Sequence, residues 1–156
     1  MRTYNAVVVQ APPDRCFQTA ADVERWPEFL RHYRWVRFRR KDEFGTGLVE
    51  MAAVRPFGPL KYPVWWVSEM RVEPARPAVL YRHVEGITAG MAVEWRFSAE
   101  DGRGTRVEIV HDWPDGPAWP LIGRLAASWV IGPVFIHAVA ARTLEGVKRR
   151  TESAPS

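Results

Sequence analysis

Cysteine is almost absent from this chain: Cys16 stands alone among 156 residues. A single thiol excludes an intrachain disulfide framework and fits a reducing compartment, so a cytoplasmic location is expected. The four histidines, His32, His83, His111 and His137, lie far apart, with no H-x-x-x-H pair and no C-x-x-C. No metal site is therefore expected. A glycine-rich phosphate loop, a dinucleotide fingerprint and a G-x-S-x-G elbow are also missing, so no cofactor is expected. No charge-free apolar run reaches about 18 residues, which argues against a membrane span. The N-terminus has no signal-peptide pattern, and there are no repeats or low-complexity stretches. The formal charge is +4 with a pI of about 9.6. That balance permits an acidic partner, but without a basic motif nucleic-acid binding is not expected.

What is present is apolar and aromatic. Hydrophobic residues make up 47% of the chain, enough for one globular core. One domain over residues 1–150 is expected, with a frayed polar tail at 151–156. Eight tryptophans supply large apolar area for a core or a ligand pocket. Residues 118–150 read as a long helix. Leu121, Leu125, Trp129, Val130, Val134, His137, Ala141, Leu144 and Val147 recur at three- and four-residue steps, which makes an apolar stripe. Gly132-Pro133 interrupts it, so a kink or two successive helices are expected.

Ahead of that helix, Thr3–Gln10 reads as a strand. A short helix follows over residues 14–22, with Cys16, Phe17 and Ala20 on one face. A second is expected after Asp22 as N-cap, ended or bent by Trp26-Pro27. Six alternating segments come next: Tyr33–Arg40, Gly47–Arg55, Lys61–Val72, Ala78–Glu85, Met91–Ser98 and Thr105–Trp113. Their short, turn-like connectors imply antiparallel neighbours. The expected architecture is α+β: a seven-stranded antiparallel sheet curled around a long C-terminal helix, with a cavity between them.

Period-two parity then sorts side chains to faces. In the fourth strand Val64, Trp66, Ser68, Met70 and Val72 are expected inside. In the fifth, Leu80, Arg82 and Val84 are expected inside, because the opposite parity carries His83 and Glu85. Val93, Trp95 and Phe97 of the sixth strand face in, as do Val107, Ile109, His111 and Trp113 of the seventh. Val36 and Phe38 share a face of the second. The third strand is open: either Glu50 with Leu48, Ala52 and Val54 is inside, or Val49, Met51 and Ala53 are. A buried Arg82 would need a partner, and Glu50 is the candidate. An apolar cavity with a few convergent polar groups is the usual form of a small-molecule site. The expected ligand contacts are Phe38, Glu50, Val64, Trp66, Met70, Trp95, Trp113, Trp129 and His137.

The element order resembles the START/Bet v 1-like superfamily and its helix-grip fold. More narrowly it resembles the polyketide cyclase/dehydrase and Coq10-like branch. The segments APPDRCFQTAADVERWPEFLRHY, WWVSEMRV, YRHVEG, MAVEWRF and GTRVEIVHDW carry the resemblance, which spans nearly the whole chain. It implies one of two functions: a non-catalytic carrier of a polyketide-, lipid- or quinone-like molecule, or an aromatase/cyclase that closes and dehydrates a poly-β-ketone. In the second case Trp66, Ser68, Arg82, Trp95 and Tyr33 match pocket positions of such cyclases, and an acidic acyl carrier protein is the implied partner. One position departs from that pattern: Met70 stands where those cyclases carry a second pocket Arg.

Each candidate also has a plainer reading. Arg82 would polarise a ligand carbonyl, or it is a structural ion pair. Ser68 and Tyr33 would orient a ligand oxygen, and Ser68 is otherwise a small core filler. His111 would serve as a general base, or it is a satisfied core histidine near the cavity mouth. Cys16 reads as core, not as a nucleophile.

Overall fold

The computed structural model describes residues 1–55, 62–102, 104–115 and 133–153. Seven strands form one antiparallel sheet: β1 (Arg2–Val9), β2 (Tyr33–Lys41), β3 (Gly47–Arg55), β4 (Tyr62–Glu73), β5 (Ala78–Gly86), β6 (Ala92–Glu100) and β7 (Gly104–Asp112). Their spatial order is β1-β7-β6-β5-β4-β3-β2. Strands β2 to β7 are therefore a plain meander, as their short connectors require. Strand β1 adds to the far edge by pairing antiparallel with β7.

Among the described residues, three helices cover one face. Helix α1 (Pro13–Ala21) starts with Pro at its first turn, buries Cys16 and Ala20, and sets Phe17 edge-on to Phe97 at 5.7 Å. A single 3-10 turn at Val23–Arg25 leads into α2 (Trp26–Phe29). Asp22 makes no side-chain cap; it pairs with Arg25 at 3.3 Å instead. Pro27 opens α2 and does not end it, which suits a residue whose missing N–H is unneeded in a first turn. Helix α3 (Pro133–Ser153) is the long C-terminal helix. Residues 118–132 of the expected run, including Leu121, Leu125, Trp129 and Val130, lie outside the described residues.

Two expectations about α3 need correction. Its buried stripe runs through Ile136, Ala140, Leu144, Val147 and Thr151, while His137 is exposed. The helix also continues past Arg150. Thr151 is 1% exposed, and its carbonyl accepts a hydrogen bond from Arg15 Nη2 at 2.9 Å. Lys148 Nζ donates to Val8 O at 2.7 Å, and Glu152 Oε1 accepts from Gln10 N at 3.0 Å. These polar contacts fix the end of α3 along β1, which is the edge strand.

Burial resolves the strand parities. In β3, Val49, Met51 and Ala53 face the helices. Glu50 lies on the opposite face, where Arg37 Nε donates to it at 2.9 Å and Arg39 Nε donates to its other oxygen. The β5 expectation is overturned. Val79, Tyr81 and His83 are buried, while Arg82 is exposed and Val84 is 39% exposed. Register explains why: inward Met70 pairs with Tyr81, and inward Ser68 pairs with His83. Turning β5 over would put an unpaired guanidinium against aromatic rings, which costs far more than burying a phenol and a neutral imidazole. The register shifts between Val67 and Ser68, so β5 holds one extra residue there and Val84 and Glu85 both face out. Gly86 sits just past it at φ +95°, where a Cβ would strike the Trp65 carbonyl.

Gly146 offers a test of this packing. It packs against Leu30, which is 2% exposed, and a Cβ at this position would collide with the Leu30 side chain. Glycine to alanine in a helix interior normally gains about 1 kcal/mol. Here overpacking, about 1–3 kcal/mol, outweighs it. Gly146→Ala should therefore lower the urea midpoint. A raised midpoint would show that α3 does not seat on α2 this closely.

Candidate functional site

Between the inner face of the sheet and α3 lies a small cavity of about 80 Å³. Its wall is built from rings. Trp95 and Trp26 lie 5.7 Å apart, Trp26 meets Tyr33 edge-on at 5.1 Å, and Tyr33 meets Trp66 at 6.1 Å. Trp66 then stacks on His83 at 5.6 Å with only 9° between the planes. Alternation places Trp66 on β4, His83 on β5 and Trp95 on β6 on the same face. Helix α3 closes the other side with Phe135, Ile136, Val139, Ala140 and Thr143. Larger open grooves exist, but they are surface depressions floored by strand ends or helix flanks, with exposed charges at their rims.

No charged side chain lines this cavity among the described residues. Its polar groups are phenols, imidazoles, indoles and threonine hydroxyls. Thr143 Oγ1 donates to Val139 O at 2.8 Å, so it must accept from its other neighbours. His32 Nε2 lies 3.0 Å away and is thereby fixed as the protonated nitrogen. His83 Nδ1 is tied to Thr88 Oγ1 at 2.6 Å, in the turn between β5 and β6. His111 Nδ1 is buried with no partner.

Burial sets the protonation of all these groups. Desolvation lowers His83 to about 3, with the nearby His111 adding to the effect. It lowers His111 to about 4 and His32 to about 4, the latter helped by Arg142. Desolvation also pushes both Tyr33 and Tyr81 above the usual phenol range. At neutral pH the cavity is lined by uncharged imidazoles and intact phenols.

Of the residues singled out from sequence, Tyr33, Trp66, Trp95 and His111 line the cavity. Arg82 faces away, on the outer surface. Glu50 is on that outer surface too, paired with Arg37 and Arg39 and not with Arg82. His137 is exposed, and its carbonyl accepts from Asn5 Nδ2 at 3.2 Å. Ser68, Met70 and Val64 point inward but sit in the packed core beside the cavity, with the Ser68 hydroxyl unpartnered. Trp113 is buried under the 87–90 turn and donates to Ala89 O at 3.2 Å. Phe38 is half-buried beneath the Lys41 ammonium. Trp129 lies outside the described residues. Trp26, Tyr81, His83, Thr88 and Thr143 went unnoticed as wall residues. For Tyr81 and His83 the signal was available: both stand opposite inward residues of β4.

Residues 9–133 match the family described as polyketide cyclase/dehydrase and lipid transport. Among solved structures, the fold is similar to the Zhui aromatase/cyclase from Streptomyces sp. R1128, with a TM-score of 0.83, 20% identity and coverage of 97% of this chain and 93% of that one. It is also similar to ginseng major latex-like protein 151 from Panax ginseng, with a TM-score of 0.74, 10% identity and 97% of each chain covered. A START superfamily protein from Mycobacterium smegmatis gives a TM-score of 0.68 at 12% identity, covering 96% of this chain and 97% of that one. At these identities the likeness is one of fold.

The buried imidazoles predict an acid-sensitive fold. Their folded values lie below the unfolded value of about 6.5, so the unfolded chain takes up protons first as pH falls. Stability is whole above about pH 6.5 and is lost progressively down to about pH 3–4. Each imidazole contributes about 1.4 kcal/mol per pH unit across its window. His83→Gln should remove one proton's share of that slope between pH 6.5 and 4.5 in urea titrations. An unchanged slope would mean His83 is not buried neutral.

Proposed function

The chain belongs to the polyketide cyclase/dehydrase and lipid transport family, and from that premise we propose that it binds an uncharged, largely aromatic or apolar small molecule between the sheet and α3. The observation that supports this reading most directly is a ring-lined cavity without a charged side chain among the described residues. Burial of flat apolar surface against Trp66 and Trp95 supplies the affinity. A carboxylate or phosphate ligand would lose its hydration there without gaining a cation, which is unfavourable by several kcal/mol. The class of ligand is thus polyketide-, lipid- or quinone-like, with its charged parts, if any, outside.

A second reading is an aromatase/cyclase acting on a poly-β-ketone, with an acidic acyl carrier protein delivering it to a chain of charge +4. It is favoured by the unpartnered Nδ1 of His111 on the wall, where a nitrogen free to accept a proton would be needed. Tyr33 would steady the ligand in that scheme. Arg82 has no part in either reading, because it faces away from the cavity. Ser68 enters only by shaping the wall behind His83.

Titration with the neutral dye Nile red tests the first reading. Saturable enhancement of its emission is expected in the native protein. Ala140→Trp, which fills the cavity from α3, should abolish it, and Arg82→Ala should leave the affinity within about twofold. Loss of binding in Arg82→Ala with retained binding in Ala140→Trp would place the site on the outer face. Incubation of the protein with a poly-β-keto thioester mimic separates the two readings. An aromatic product lost in His111→Ala favours the cyclase, and a bound but unaltered mimic favours the carrier.

A further inference from the structure

Several polar atoms of the cavity wall have no hydrogen-bond partner. Four lining side chains carry polar atoms that are buried and have no partner: the donors Trp26 Nε1, Trp66 Nε1 and the Tyr81 hydroxyl, and Nδ1 of His111. Trp26, Trp66 and Tyr81 are 2%, 8% and 6% exposed, so bulk water does not satisfy these three donors. The two indole nitrogens can only donate, and a phenol holding its proton donates as well. The Thr143 hydroxyl gives its proton to Val139 O, and Thr88 is tied to His83. No carboxylate and no side-chain amide lines the wall among the described residues, and neither does a lysine or arginine.

These facts discriminate among ligands of similar size. A carboxylate finds donors but no counter-charge. A plain hydrocarbon leaves three buried donors unpaired, and a buried donor without a partner keeps its full desolvation cost. A neutral ligand with carbonyl-type oxygens satisfies the donors without bringing charge. The near-coplanar Trp66–His83 stack adds a flat face, which favours a planar skeleton.

We propose that Trp26, Trp66 and Tyr81 form a donor array that selects neutral, flat ligands through carbonyl-type acceptor oxygens. The assignment rests on the cavity being the binding site, and it narrows the ligand to an acceptor-rich class. It also gives Tyr81 and the two indole N–H groups a specificity role distinct from packing.

Three tetramethylbenzene probes of one skeleton test it: duroquinone with two carbonyls, durene with none, and tetramethylbenzoate with a charge. Duroquinone has every ring carbon substituted, which blocks thiol addition. Equilibrium dialysis against the full chain should give duroquinone an affinity at least about tenfold above durene and above tetramethylbenzoate. Tyr81→Phe and Trp66→Phe keep the rings and remove the donors. Each should cut the duroquinone-to-durene preference by about threefold or more while leaving durene binding nearly unchanged. The carbonyl carbon resonance of labelled duroquinone should move downfield on binding, less so in either variant. Durene binding as tightly as duroquinone, or a preference untouched in both variants, would overturn the donor array and leave the cavity reading standing. Tightest binding by tetramethylbenzoate would overturn the neutrality of the site. No saturable binding of any probe, in a protein with native circular dichroism, would overturn the cavity reading itself.

Discussion

The cross-strand register of β4 and β5 is the constraint on which the rest of this structure depends. A strand alternates its side chains between two faces, and hydrogen bonding forces paired residues onto the same face. Once Ser68 and Met70 are inward, His83 and Tyr81 must be inward as well. The same alternation sends Arg82 outward, and with it the guanidinium that would otherwise have charged the cavity. One choice of parity therefore decides the electrostatics of the interior. It also decides where the polar atoms of the wall point, because Tyr81 and His83 supply two of them.

Neutrality then propagates. In a space without formal charge, desolvation is the largest influence on each titratable group, so imidazoles fall and phenols rise. His83 and His111 reinforce one another, since a proton on either would repel a proton on the other. Charge is sorted to the outer face of the sheet instead, where Arg37 and Arg39 converge on Glu50 and Arg39 reaches Glu85. The two arginines are partly or largely exposed, while Glu50 is buried between them. These pairs let the second strand be rich in arginine without any of it entering the core.

Much of the fold was legible in the chain because it is written in local signals. Seven strands with their turn residues, a proline-led first helix and a long C-terminal helix each have a short-range signature. Strand bounds agree within a residue or two. The candidate site was less legible, since it depends on which face a strand presents, and β5 is nearly balanced. Leu80 and Val84 argue for one parity, Val79 and Tyr81 for the other. Reading His83 as a polar residue tipped the choice, yet a neutral imidazole beside a threonine is far cheaper to bury than a guanidinium. Glu50 misled for a related reason. Its burial on the outer face comes from two arginines two residues apart on β2, a pairing visible only once β2 and β3 are in register. His137 fell to a rotation of the helix: stepping through Ile136, Ala140 and Leu144 is as regular as stepping through His137 and Ala141.

The same chemistry bears on what kind of protein this is. A general base works best when its pKa lies near the working pH. An imidazole held at about 4 is deprotonated at neutral pH but has little appetite for a proton, and charging it would cost the desolvation that lowered it. A ketone polarised by a guanidinium needs less from its base, but here Arg82 is outside and buried Met70 brings no charge to the interior. Holding a neutral molecule asks nothing of these groups beyond their present state. Catalysis would require the ligand itself to change the field around His111, for instance by carrying a developing negative charge within reach of its ring. The balance of forces in the wall therefore leans toward binding, and any chemistry would have to begin from the ligand's own polarity.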